Sequence, residues 1–298
     1  MAKDDQHVDI GGRQLVVRNL QKVMYPATAF TKAEVIDYYA RVAPVMLPHL
    51  AGRPVTRRRF PDGVDGASFF EKNCPSHRPD WVPTAEIDDV SYCRIEEPAA
   101  LVWLANLAAL ELHVPMGLAD SITHPRAVVF DLDPGPGVDA SGCAQVAVRI
   151  REVLEALGLE CWPKTSGSKG LQVYAPINTP TSYDETTPFA HGVAKLLEQE
   201  DPKFVTSVMR KDLRKGKVFV DWSQNTTHKT TVCVYSLRAV ERPRVSTPLL
   251  WDEVEAAAEA DDATLLEFEA VDVLARVDEH GDLFAPVLDL EQELPDFG

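Results

Sequence analysis

AVVFDLDPGPG, residues 127–137, is a β-rich apolar run that leads into two aspartates and is stopped by turn residues. In an extended strand side chains alternate between faces, so Asp131 and Asp133 project together while Leu132 points to the core. Carboxylates held that close repel unless they are protonated or bridged by a cation. Mg2+ or Mn2+ prefers such oxygen ligands, and a pair of these ions can stabilise the attacking and leaving oxygens of phosphoryl transfer. The plain alternative is a polar turn closing a strand.

Working outward, Asp221 in VFVDWSQN shares a strand face with Phe219, and an acid between Val220 and Trp222 is in poor company without a partner. It is a candidate third ligand or an ordinary strand-end residue. KTSGSKG, residues 164–170, joins two expected strands. Gly167 and Gly170 let backbone approach a ligand, and exposed N–H groups with Ser166, Ser168 and Lys169 would suit a triphosphate. The spacing is not that of a Walker A loop, and a simple hairpin turn is the competing reading. Arg238 in YSLR and Lys229 could add positive charge or be solvated. His113 in ELHVP reads, on its own, as a satisfied core histidine.

Helix and strand signals alternate without a repeat, which predicts an α/β chain. Thr31 and Glu34 form a capping box ahead of a helix that Pro44 and Pro48 should end or bend. Pro98 opens the apolar helix AALVWLANLAAL, and Ser141 to Leu157 forms another, with Gly158 as its cap. A helix around Phe189 to Gln199 and strands VFVDW and TTVCVYSL follow. No Gly/Ser linker divides the 298 residues, so a single domain is expected, with 20–240 as catalytic core and 251–298 as an acidic helical lobe.

Composition, 45% hydrophobic and 26% charged, is that of a soluble globular protein, and no run of about 18 apolar residues could span a membrane. The polar start MAKDDQHVDIGG is unlike a secretory signal, so the expected location is cytoplasmic. Five scattered cysteines read as incidental thiols of a reduced compartment. The net charge of −16 argues against nucleic acid only until its distribution is read. Residues 251–298 hold 16 acids and one base, Arg276, leaving the body near neutral. That body carries Arg57-Arg58-Arg59 and the run Arg210, Lys211, Arg214, Lys215, Lys217, each a candidate phosphate-binding patch.

In order, QKVMYPATAFTKAEVIDYYA, FFEK, ELHVP, VVFDLDPG, TSGSKG, KVFVDWSQN and YSLR resemble the primase-polymerase domain of bacterial ligase D, within the archaeo-eukaryotic primase superfamily. The resemblance implies an α/β (α+β) primase-like core with an RRM-like antiparallel or mixed sheet flanked by helices. It implies a nucleotidyltransferase of DNA repair that adds (ribo)nucleotides to a primer 3′-OH at gaps or breaks, using Mn2+ or Mg2+. Carried over, Asp131, Asp133 and Asp221 match the metal-binding catalytic carboxylates. Ser166, Lys169, Arg238 and Arg58 match nucleotide-holding residues, Phe70 a base-stacking aromatic, and His113 the histidine of the nucleotide pocket, against the core reading. Lys22 and Lys32 match lysines that grip a downstream 5′-phosphate, and Arg214 and Lys217 fall in a mobile DNA-contacting loop. Gln172 stands where many relatives have histidine, and Val234 replaces a proline.

The implied partners are gapped or broken DNA, nucleoside triphosphates, a separate ATP-dependent DNA ligase, since no K-x-D-G motif occurs, and Ku. A nucleoid-associated location goes with them. Two other classes compete: a two-metal phosphodiesterase or nuclease using water, and a non-catalytic DNA-end-binding module.

Overall fold

The computed structural model describes residues 5–295; Met1 to Asp4, the start of the polar N-terminal run, and the last three residues lie outside it. The chain divides into two compact units. Unit 1 holds residues 1–114, 232–245 and 268–281; unit 2 holds 115–231, 246–267 and 282–298.

In unit 1 the capping box forms as the sequence suggests: Thr31 accepts from the Glu34 amide, and Glu34 accepts from Thr31. The helix it starts, Lys32–Leu50, runs through Pro44 and Pro48 instead of ending there. Tyr38, Tyr39, Val42, Ala43 and Met46 on its inner face are all fully buried, and that burial outweighs the amide hydrogen bonds the prolines forgo. Pro98–Asn106 packs against it, buried nearly all round. This second helix stops at Asn106, short of the expected Leu110, because Ala108 turns left-handed (φ 58°) and the apolar run continues as strand Ala109–Val114. That strand belongs to a four-stranded sheet with the order Thr231–Val232, Ala109–Val114, Thr56–Arg59, Phe69–Glu71. The cysteines are not all free thiols, as their odd number suggested: Cys74 and Cys93 form a disulfide, leaving Cys143, Cys161 and Cys233 buried and reduced.

Unit 2 is built on a five-stranded mixed sheet ordered Trp162–Thr165, Leu171–Pro176, Ala127–Pro134, Val218–Asp221, Val205–Thr206. Only the last pair is parallel. Helix Ala140–Ala156, N-capped by the Asp139 carboxylate, and helix Tyr183–Glu200, started by a Ser182–Glu185 capping box, pack against this sheet. The acidic C-terminal stretch divides between the units: Trp251–Ala260 packs on helix Ala140–Ala156 in unit 2, and Ala270–His280 packs on helix Lys32–Leu50 in unit 1. Among the described residues no helix is long and apolar enough to cross a membrane.

Candidate active site

Strand Ala127–Pro134 is the centre of the unit 2 sheet, with strand Val218–Asp221 antiparallel beside it. Asp131 lies directly opposite Asp221, and Asp133 opposite Phe219. Cross-strand partners share a face, so the register gathers the three expected aspartates on one side of the sheet. Asp221 is buried, Asp131 half-buried and Asp133 exposed. Gln224 Nε2 donates to Asp221 Oδ2 at 3.1 Å and, more weakly, to Asp131 Oδ2 at 3.4 Å. The amide and hydroxyl of Ser223 donate to Asp221 Oδ1 at 2.9 and 2.6 Å. Burial, followed by the charge of Asp133, raises the Asp131 pKa above the usual carboxylate range; partial desolvation, followed by the charge of Asp221, raises that of Asp133 from its ordinary value.

Three acids kept together against that repulsion fit a cation, and an all-oxygen donor set suits Mg2+ or Mn2+ better than a thiolate-seeking metal. Among the described residues, however, no group of three or more acid, histidine or cysteine side chains is placed to hold a metal ion. Gln224, Ser223 and the Arg214 guanidinium, 3.8 Å from Asp133 Oδ2, take up part of the carboxylates' bonding capacity.

The loop Ser166–Gly170 is organised differently from expectation. Ser166 Oγ accepts from the amides of Ser168 (3.2 Å) and Gly170 (3.1 Å), and the Ser166 amide donates to Gly170 O (2.8 Å). Amides expected to face a triphosphate are therefore engaged within the turn. Gly170 is required by the neighbouring strand: a Cβ there would lie 1.9 Å from the Leu132 carbonyl oxygen. The loop thus sits directly on the aspartate strand, with Lys169 exposed.

Gly135 plays the same part for the basic segment. Its amide donates to Lys217 O at 2.8 Å, and a Cβ would meet Arg214 O at 1.8 Å. Arg214 lies over the Phe219 ring beside Asp133, whereas Lys217 Nζ turns to the Pro202 carbonyl and Arg210 pairs with Asp212.

In unit 1, Phe70, Arg58 and Glu111 stand directly opposite one another in three adjacent strands, with His113 two residues along on the face of Glu111. The arginine triplet is accordingly not one patch. Arg57 and Arg59 pair with Glu71, at 2.9 and 3.0 Å, and Arg57 is fully buried. Arg58 alone lies beneath the exposed Phe70 ring, its guanidinium 5.1 Å from the ring centre. The His113 ring meets Phe70 edge-on at 5.6 Å. Arg238 joins the group through Glu111, its Nε 3.3 Å from Oε1. Three expected nucleotide-binding residues, Arg58, His113 and Arg238, thus surround one acid that sequence reasoning passed over, and the fourth, Phe70, rests on Arg58 and His113. The signal for Glu111 was present: an acid inside the otherwise apolar ALEL of a buried strand.

Lys22 and Lys32 form a group of their own. The Lys32 amide donates to Lys22 O; its Nζ donates to Arg18 O (2.7 Å) and Asn106 Oδ1 (2.8 Å), while Lys22 Nζ pairs with Asp62 (2.8 Å). Burial, then the charges of Lys22, Arg18 and Arg59, lower the Lys32 pKa to about 8.

The family that this mixed-sheet α/β fold matches is one of primase-like nucleotidyltransferases. Residues 31–284 match the family model for the LigD primase-polymerase domain, and the chain belongs to that family. It is 46% identical over 284 residues to the multifunctional non-homologous end joining protein LigD of Mycolicibacterium smegmatis, covering 93% of this chain and 36% of that protein. The bifunctional LigD of Bacillus subtilis is 34% identical over 245 residues, with 82% and 40% covered. The chain therefore spans little more than a third of the length of these relatives. Among solved structures, the polymerase domain of Mycobacterium tuberculosis ligase D in complex with DNA superposes with a TM-score of 0.86 at 43% identity, covering 92% of this chain and 98% of that one.

Proposed function

We propose that this chain is a DNA repair polymerase that adds nucleotides, ribonucleotides among them, to a primer 3′-OH at gaps or breaks, with residues 20–240 as catalytic core and 251–298 as acidic support. The observation that carries the reading is the register that puts Asp131 opposite Asp221 with Asp133 two residues on. These carboxylates would hold two Mn2+ or Mg2+ ions, whose chemistry is Lewis-acid stabilisation of the attacking hydroxyl and the departing pyrophosphate. Arg58, Arg238, Ser166 and Lys169 are assigned to the triphosphate as charge-assisted donors, His113 to the nucleotide, and the exposed Phe70 ring to a base. Arg214 and Lys217 are assigned to the DNA backbone. Lys22 and Lys32 are assigned to a 5′-phosphate on the downstream strand, which their clustered charge favours. In this reading the partners are broken or gapped DNA, nucleoside triphosphates, an ATP-dependent ligase and Ku, and the site of action is the nucleoid.

The test is extension of a labelled primer on gapped, nicked and overhanging DNA, with and without the 5′-phosphate, by the wild type and Asp131→Ala. Extension by the wild type, stimulated by the phosphate and lost in Asp131→Ala, is expected. An Asp131→Ala protein that still extends would sink the assignment. Shortening of the DNA in Mn2+ without nucleotides would indicate a phosphodiesterase instead.

A further inference from the structure

We propose that Glu111 is a positioning residue, whose buried carboxylate sets the donor groups of the nucleotide pocket by fixing the His113 tautomer and spacing the two guanidinium groups of Arg58 and Arg238. This rests on the assignment of those three residues to the nucleotide. Glu111 is 2% exposed, so it lies beneath the pocket and does not itself reach a ligand. Four groups converge on its two oxygens. Oε1 accepts from the Ala239 amide at 3.0 Å and faces Arg238 Nε at 3.3 Å; Oε2 lies 3.0 Å from His113 Nε2 and 3.6 Å from Arg58 Nη1. Ala239 and His113 are hydrogen-bonded to the carboxylate, one on each oxygen, and the two guanidinium groups face it as ion pairs.

Burying an acid is costly unless it is paired, and burial alone would raise the Glu111 pKa. The His113 hydrogen bond, Arg238 and the Ala239 amide outweigh burial and hold it at about 2, so the group is ionised. Burial lowers the His113 pKa, an effect Glu111 only partly offsets, and the ring is neutral at neutral pH. A neutral imidazole facing an ionised carboxylate through Nε2 keeps its proton there and leaves Nδ1 as a hydrogen-bond acceptor. Without the carboxylate, nothing in this cluster would select that tautomer, and Arg58 and Arg238 would repel each other across the same spot.

The experiment has two arms. Nitrogen–proton correlation spectra of the folded wild type read the His113 tautomer directly, without a variant and without catalysis. The Nε2–H form is expected; an Nδ1–H form or an imidazolium at neutral pH would overturn the inference. In the second arm, Glu111→Gln keeps the shape but removes the charge. Its KM for nucleotide is expected to rise about tenfold, the usual scale for losing a charge-assisted hydrogen bond. Its Kd for gapped DNA should stay within about twofold of wild type, and Glu111→Asp should recover part of the loss. A folded Glu111→Gln protein with unchanged KM also overturns it, and if that variant does not fold, the tautomer decides alone. A wild type that extends no primer refutes the polymerase reading, while the tautomer measurement still decides on Glu111.

Discussion

Gly170→Ala puts a methyl group where the structure has no room. The new Cβ would lie 1.9 Å from the Leu132 oxygen and 3.1 Å from its carbonyl carbon, whereas real Cβ atoms essentially never approach closer than 3.0 Å. Loop and strand must therefore part by about 1 Å, and neither yields easily in a close-packed interior. The loop is closed by hydrogen bonds between Ser166 and both ends of Gly170, and the strand is paired on both edges. Overpacking of this kind costs about 1–3 kcal/mol. Leu132 stands between Asp131 and Asp133, so the displacement is passed to both carboxylates. A misplacement of about 1 Å at reacting groups can cost about a hundredfold in rate. Urea unfolding measures the first effect and single-turnover primer extension the second. Gly192→Ala is the control: it is exposed in helix Tyr183–Glu200 with nothing within 4 Å of its Cβ, and should gain about 0.5–1 kcal/mol with unchanged extension. A Gly170→Ala protein as stable and as fast as wild type would refute the packing argument.

Three further outcomes follow. Because the Lys32 pKa is lowered from 10.5 to about 8, the folded chain releases a proton that the unfolded chain keeps. Its contribution to stability is therefore unfavourable below that window and improves as pH rises between the two values. The advantage given by a 5′-phosphate should instead fade as pH passes about 8, read as the ratio of extension rates with and without the phosphate; a flat ratio would remove Lys32 from that role. Arg214→Ala should weaken DNA binding alike on all sequences and reduce the slope of log affinity against log salt by about one, measured by anisotropy at several salt concentrations. Thiol titration of the denatured, unreduced protein should find the three thiols of Cys143, Cys161 and Cys233, and a count of five would exclude the Cys74–Cys93 bridge.

What could be read from the sequence was what depends on neighbours along the chain. The Thr31–Glu34 box fixed where its helix begins, and the alternation of Asp131, Leu132 and Asp133 fixed which faces they take. What could not be read depends on partners distant in sequence. Nothing near Pro44 and Pro48 shows that the tyrosines of their helix bury a whole face, with Tyr38 bonded to Tyr235 O and Tyr39 to Leu110 O. The apolar run after Pro98 gives no sign of where helix yields to strand, because both states bury the same residues. Glu111 escaped notice for the same reason: three of its four partners, Arg58, Arg238 and Ala239, come from other segments. The disulfide joins cysteines 19 residues apart, a pairing that spacing alone does not indicate.

The division of the chain bears on how it is made. Each unit is assembled from three separate stretches, and unit 1 is not complete until residues 268–281 are in place. A ribosome that has delivered the first 114 residues has delivered most of unit 1 but not the helix Ala270–His280 that covers Lys32–Leu50. Vectorial synthesis therefore cannot finish one half before starting the other, and the emerging chain carries uncovered apolar surface until residues 270–280 appear. Deleting the acidic stretch would not trim an appendage; it would take a piece out of each half.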